Sequence, residues 1–269
     1  TLYATRDIAG LIYRWETFHF HESLYVVGVA QSDHFKQAFI VIDKMERAEG
    51  LPPENRMTGK VKHIDFGWVK FGEQMMSTRL GNIIFLEDVI NEAVRLVADR
   101  ISEKNPNLAN REAVSLQVGT GAVIFSQLSV RRQKDVSFIW DQVLNFEGET
   151  GPYVQYTHAR LSSVMRKYGK KIEPKVDFSL LKEADEYLLL RKLEIFPKTL
   201  IQAAQTYEPV MLCNYLIELA STFNRYYNHH RIIGKNEDLT KARILLSDSV
   251  RQVLKNGLEL LGMETPEEM

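Results

Sequence analysis

Apolar positions change their period along the chain. Residues 5–14 space them as a short helix does, and LYVVGV (Leu24–Val29) is a compact apolar run that predicts a buried strand. Ser32 or Asp33 is placed to cap a helix whose apolar positions are Phe35, Phe39, Ile42 and Met45. VKHIDFGWVKF then spreads Val61, Ile64, Phe66 and Trp68 among polar residues, with enough aromatic and β-branched content for a second strand or hairpin arm. Strand–helix–strand order predicts part of a parallel α/β sheet. So few elements predict the back half of a doubly wound domain.

After Gly72, EQMMSTRLGN is a polar loop without helical periodicity. LEDVINEAVRLVADRISEKN is amphipathic at helical spacing, whereas NREAVSLQVGTGAVIFSQLS carries two glycines that argue against an unbroken helix. From Thr150 onward the pattern predicts only helices, at about 151–171, 178–195, 197–207, 209–231 and 239–261. Pro152, Pro197 and Pro209 suit first-turn positions and Gly262 a helix stop. The fold class is therefore mixed α/β followed by all-α, with the change near 145–150.

Composition narrows this picture modestly. The 269 residues are 45% hydrophobic and 26% charged, as in water-soluble globular domains. No apolar run approaches the roughly 20 residues that cross a bilayer, so no membrane partner is expected. A lone cysteine, Cys213, excludes an internal disulfide. Net charge is -1, so any polyanion site has to be a local basic surface. Thr1 opens the sequence without methionine, so a processed or truncated chain with an ordinary C-terminus is expected.

Several residue groups could carry chemistry. Tyr3 and Asp7 are four residues apart and share a face if their segment is helical. Asp7 could accept a bidentate pair from a guanidinium with Tyr3 beside it, or simply pair with Arg6 or Arg14. Gln31, Asp33 and His34 follow the first strand, and ligands of parallel α/β sheets sit beyond the carboxyl ends of strands. Alternatively, Ser32 and Asp33 only cap a helix and His34 faces solvent. Ser77, Thr78 and Arg79 offer hydroxyls and a guanidinium to a phosphate-rich ligand, although such a turn before a helix is common.

In GPYVQYTHAR, Tyr153, Tyr156 and Arg160 fall at i, i+3 and i+7, one stripe of a helix. Val154, Leu161 and Met165 form a second stripe about 100° round, suited to a core. The first stripe is what stacking on unpaired bases requires; the bland alternative packs both tyrosines against neighbouring helices. FNRYYNHHRIIGK (Phe223–Lys235) again mixes aromatic and basic residues, which suit a helix C-terminus or a phosphate. His229 and His230 are adjacent and point apart, and no Cys/His spacing resembles a zinc site.

Taken in order, YATRDIA, YVVGVAQSDHFKQ, FGWVKFGEQMMSTRLGN, NFEGETGPYVQYTHARL, FNRYYN and SVRQVLKNGLELLGMETPEEM resemble the arginyl-tRNA synthetases, which are class I aminoacyl-tRNA synthetases. The likeness runs essentially from Thr1 to Met269. It implies the C-terminal half of a Rossmann-like class I catalytic domain over 1–145, with a KMSKS-like loop at about 73–82, followed by an α-helical anticodon-binding bundle over 146–269. It also implies ATP-dependent activation of L-arginine to arginyl-adenylate and transfer to the 3′ end of tRNA(Arg), in the cytoplasm. Mg2+ is expected with ATP, and no tightly bound protein metal. By the same resemblance Tyr3, Asp7 and Gln31 bind arginine, while Asp33, His34 and Met76 border ATP. Ser77, Thr78 and Arg79 act at the phosphates, and Tyr153, Tyr156, Tyr227, Arg231 and Met269 contact the anticodon loop.

Two departures qualify the expected activity. Met75 and Thr78 stand where the KMSKS consensus has lysines, and the HIGH motif is absent, since HFHE at His19–Glu22 is not a version of it. The ATP-binding half is therefore expected upstream, and this chain alone is expected not to make arginyl-adenylate. A noncatalytic tRNA-binding protein derived from a synthetase is the alternative, but it has no use for Tyr3, Asp7 and Gln31. A cysteinyl-type synthetase lacks support because no zinc-ligand cysteines occur. The full-length enzyme is expected to be a monomer, and a partial sheet with an open apolar face predicts self-association of this chain.

Overall fold

Ile8, Leu11, Ile12 and Trp15 keep one apolar face along the first segment, so helix α1 runs from Tyr3 to Phe18, well past the predicted 5–14. The computed structural model describes residues 3–71, 74–75 and 84–269. His19 takes a left-handed turn at φ +46°, which places HFHE in a helix-ending bend. Strand β1 (Ser23–Gly28) follows, then a 3-10 turn (Val29–Gln31) and helix α2 (Ser32–Ala48). Strand β2 (Val61–Phe66) lies parallel to β1, with Ser23 opposite Val61 and Gly28 opposite Phe66. The expected parallel βαβ unit is present.

Its core joins Leu11, Ile42, Met57 and Val61, with Tyr25 and Phe39 packed against them. β1 is not buried on both faces as the apolar run predicted. Side chains alternate along a strand, so Tyr25 turns toward Phe35 and Phe39 while Val26 is 65% exposed on the other side. Helix α2 departs from expectation at two points. Neither Ser32 nor Asp33 caps it through its side chain, because the Ser32 hydroxyl donates back to the Val29 carbonyl at 2.8 Å. Met45 is exposed, and the inward position belongs to Glu46. Burial of that carboxylate is offset by hydrogen bonds from Met57 N (2.6 Å), Thr58 N (3.3 Å) and the Thr58 hydroxyl.

Gly67 follows β2 where a side chain has no room: a Cβ there would lie 2.3 Å from the Lys134 carbonyl oxygen. Gly67 N donates to Arg132 O (2.7 Å), Val136 N to Trp68 O (2.8 Å), and Arg132 pairs with Asp65. Strands β3 (Val69–Phe71), β4 (Gln74–Met75) and β5 (Val136–Phe138) form a second sheet in the order β4-β3-β5, with Lys70 opposite Met75. The chain divides into two compact units. One comprises residues up to Val69 with Arg132–Val136, the other Lys70–Arg131 with Ser137–Met269.

The second unit is built on helices α3 (Leu86–Lys104), α4 (Arg111–Leu128), α5 (Trp140–Val143), α6 (Gly151–Tyr168), α7 (Ala184–Thr206), α8 (Val210–His229) and α9 (Glu237–Leu260). The two glycines do not break α4. They let neighbours approach: a Cβ on Gly119 would lie 2.8 Å from Val94 N, and one on Gly121 2.8 Å from Gln155 Nε2. Pro197 does not divide the predicted 178–195 and 197–207 either, for α7 passes straight through it. A proline inside a helix costs about 3 kcal/mol, but Leu189 and Phe196 are buried, and Leu193 and Leu200 pack on the same core on either side of it. The helix starts at Ala184 because Glu183 and Glu186 form a reciprocal capping box.

Buried Leu161, Leu216, Leu219, Phe223, Ile244, Val250 and Leu254 fill the bundle centre. Glu186, fully buried, accepts from Arg243 Nε at 2.7 Å and lies 3.3 Å from the Tyr226 hydroxyl, tying α7 to α8 and α9. After α9, Gly262 turns left-handed at φ +77° and the tail folds back on α6. There Gln155 Nε2 donates to Glu264 O (2.8 Å) and His158 Nδ1 to Pro266 O (3.1 Å).

Candidate functional site

Two groups of side chains carry the predicted chemistry, one in each unit. In the first, the N-terminal part of α1 and the first turn of α2 meet at the carboxyl end of β1. Asp7 lies in the second turn of α1 and His34 in the first turn of α2, and Asp7 Oδ2 sits 2.6 Å from His34 Nε2. The carboxylate is an acceptor, so Nε2 carries the proton. Neither arginine expected as a neighbour takes Asp7: Arg14 instead donates to the Tyr25 hydroxyl at 2.8 Å and lies over the Tyr25 ring at 5.5 Å. Burial pushes the Tyr25 phenol up against the pull of Arg14.

Tyr3 opens α1 and is 83% exposed. Gln31 is exposed at the N-cap of α2, and Asp33 follows in the first turn, where negative charge suits the helix dipole. Asp7 and His34 are therefore in direct contact, while Gln31 and Asp33 follow β1 and Tyr3 lies one turn before Asp7 on α1, without a bond to that pair. Met76, Ser77, Thr78 and Arg79 lie outside the described residues.

The second group is on α6 and α8. Thr150 caps α6 by accepting from Tyr153 N at 3.3 Å, and Pro152 fills the first turn. This start sets the helix phase. Val154 and Leu161 fall in the core as the second stripe predicted, with Met165 packed at its margin. The first stripe splits. Tyr153 packs against the core, whereas Tyr156 is 39% exposed.

Arg160 links that stripe to α8. Its guanidinium carbon lies 4.9 Å from the Tyr156 ring centre and 5.2 Å from that of Tyr227. Arg160 Nη1 donates to Asn224 Oδ1 at 2.6 Å, Asn224 Nδ2 donates to the Thr157 hydroxyl at 2.9 Å, and that hydroxyl donates to Tyr153 O. Two aromatic faces and a fixed cation thus share one surface, an arrangement able to stack bases and meet phosphates. Asn224 was not anticipated; its signal was its place one turn before the late tyrosines in FNRYYN.

Arg231 and Met269, the other residues expected at the anticodon loop, have bonds within the chain. Arg231 is exposed, and its Nε donates to its own turn at Ile233 O (2.9 Å). Met269 packs against the α3–α4 cluster of Val97, Ile101, Val114 and Val118, with its carbonyl 3.4 Å from Asn105 Nδ2. The adjacent His229 and His230 both lie near Asp185, at 3.8 and 3.6 Å, where Arg225 also pairs at 2.9 Å. Among the described residues no cluster of His, Cys, Asp or Glu is arranged to hold a metal, and no helix is long and apolar enough to cross a membrane. Cys213 is buried, which pushes its thiol up to about 12 and leaves it a core side chain.

Residues 1–140 match the family described as tRNA synthetases class I (R), catalytic domain, and residues 154–269 match the DALR anticodon binding domain. The chain is 47% identical over 270 residues to the arginine–tRNA ligase of Enterococcus faecalis and 43% identical over 272 residues to that of Clostridium kluyveri. Each alignment covers 100% of this chain, but 46% and 47% of those proteins respectively. The chain thus spans about half the length of the curated relatives it matches. Among solved structures, Thermus thermophilus arginyl-tRNA synthetase superposes with a TM-score of 0.81 at 31% identity, over 93% of this chain and 41% of that one.

Proposed function

The chain belongs to the class I arginyl-tRNA synthetases, and on that premise we propose that it is the arginine-selecting and tRNA-recognising part of an arginine–tRNA ligase. In the reaction proposed, the carboxylate of L-arginine attacks the α-phosphate of ATP, forming arginyl-adenylate and releasing pyrophosphate. The arginyl group then passes to the 3′-terminal ribose of tRNA(Arg). Asp7 accepts the substrate guanidinium, with Tyr3 and Gln31 bordering it. Asp33, His34 and Met76 are assigned to ATP, and Ser77, Thr78 and Arg79 to charge stabilisation at its phosphates. Mg2+ would arrive on the nucleotide, whose phosphates supply much of its coordination.

The catalytic part is assigned to 1–145 and the anticodon bundle to 146–269. Tyr153, Tyr156, Tyr227, Arg231 and Met269 are assigned to the anticodon loop, and the geometry adds Arg160. Within these 269 residues the KMSKS lysines and a HIGH motif are absent, so the reading gives this chain recognition without activation. The exposed Leu24 and Val26 on β1 support self-association of the isolated chain. The site of action is taken as the cytoplasm.

The observation that carries the reading is Arg160 held between Tyr156 and Tyr227 on the bundle surface. Competition binding tests it: labelled tRNA(Arg) is displaced from the chain by unlabelled tRNA(Arg) or by the same transcript with its anticodon loop replaced. Losing one base stack is worth about 1–3 kcal/mol, so the replaced transcript should compete about tenfold more weakly. Equal competition would remove the anticodon assignment.

A further inference from the structure

His34, expected to border ATP, also contacts the carboxylate assigned to arginine, with Nε2 2.6 Å from Asp7 Oδ2. The imidazole is held from behind. Its ring meets that of Phe35 edge-on at 5.2 Å; Phe35 is buried and stacks on His63 at 4.7 Å, and His63 Nε2 lies 3.0 Å from Val27 O on β1. This aromatic ledge fixes His34 to the βαβ scaffold, while the His34 and Asp7 side chains keep 26% and 40% of their surfaces open.

A carboxylate on a single bond otherwise turns broadly about its last torsion, whereas a guanidinium fork needs both oxygens in one plane. We propose that His34 is a positioning residue for guanidinium recognition. By donating from Nε2 to Asp7 Oδ2 it holds the carboxylate so that Oδ1 and the remaining lone pairs of Oδ2 face the substrate. The inference rests on the reading of Asp7 as the guanidinium acceptor.

The test titrates the whole chain with L-arginine and with L-citrulline, whose ureido group replaces the guanidinium, and follows binding by NMR. Variants His34→Ala, His34→Gln, Asp7→Asn and the Ala/Asn double change are compared, with helicity measured on each. Wild type should prefer arginine. His34→Ala should bind arginine about tenfold more weakly, the scale of one hydrogen bond to a charged group, with citrulline binding unchanged. Glutamine, whose Nε2 can make the same donation, should restore most of the loss. In the Asp7→Asn background His34→Ala should cost nothing more.

An arginine affinity unchanged by His34→Ala, an equal loss for both ligands, or a loss that persists without Asp7 would each overturn the role of His34. A wild-type chain with no preference for arginine over citrulline would overturn the pocket itself, and the inference with it.

Discussion

Tyr153 and Tyr156 lie three residues apart on α6 and differ in how far the core covers them. Tyr156 is exposed and shares Arg160 with Tyr227; Tyr153 packs into the bundle margin. Tyr156→Ala should therefore weaken tRNA binding by about 1–3 kcal/mol while leaving the melting temperature nearly unchanged. Tyr153→Ala should weaken tRNA binding on the same scale and also lower the melting temperature, because it vacates packing. Calorimetry paired with tRNA titration separates the two, and unchanged tRNA affinity in both variants would sink the assignment. Spacing along the sequence revealed the stripe but not this division, since i, i+3 and i+7 describe one helix and not what covers it. The same limit hid the partner of Asp7. Local spacing offered Arg6 and Arg14, whereas His34 lies 27 residues away and arrives only when the βαβ unit packs α1 beside α2.

At the scale of elements, the order of strands and helices was legible, because periodicity reports burial of one face directly. Breaks were misread where tertiary packing overrode local preference. Pro197 and the α4 glycines look like punctuation, yet the first sits in a helix held by core residues on both sides, and the others give passage to neighbouring elements.

The returning tail was not legible at all, for METPEEM has no periodicity. Its anchors are polar residues of α6, Gln155 and His158, with Met263 buried beside them. Met263 Cε would meet a Cβ placed on either Gly121 or Gly151 at 3.0 Å, so small residues on α4 and α6 make its seat. Burial lowers the His158 pKa, against the partial support of its bond to Pro266 O. The unfolded chain therefore binds this proton more readily than the folded one. The stability contribution is complete above the ordinary histidine value of about 6.5 and is lost as pH falls below it, levelling once the folded state also protonates. His158→Asn keeps a donor near Nδ1 and cannot titrate. Denaturant melts between about pH 7.5 and 5 should show wild type losing more stability than His158→Asn. Parallel curves would mean that His158 does not govern acid sensitivity.

For the molecule as a whole, the family matches cover a catalytic segment and an anticodon-binding segment in one chain about half as long as its curated relatives. The two candidate surfaces ask different things of it. On the proposed reading Asp7 and His34 serve a guanidinium and the α6–α8 face an RNA loop, while these 269 residues hold neither the lysines of a KMSKS consensus nor a HIGH motif. Preorganised charge at the reacting phosphates is usually the largest single contribution to such a reaction, so recognition can persist where activation does not. Identity at this scale was readable in the sequence because it depends on the joint order of six segments. Which residues touch one another was not.

The central claim is that this chain recognises without activating. It is tested most directly by arginine-dependent ATP–pyrophosphate exchange, measured on a preparation of the chain already shown to bind tRNA(Arg). The account predicts no exchange above the control without arginine, with or without tRNA. Arginine-dependent exchange by the chain alone would contradict it.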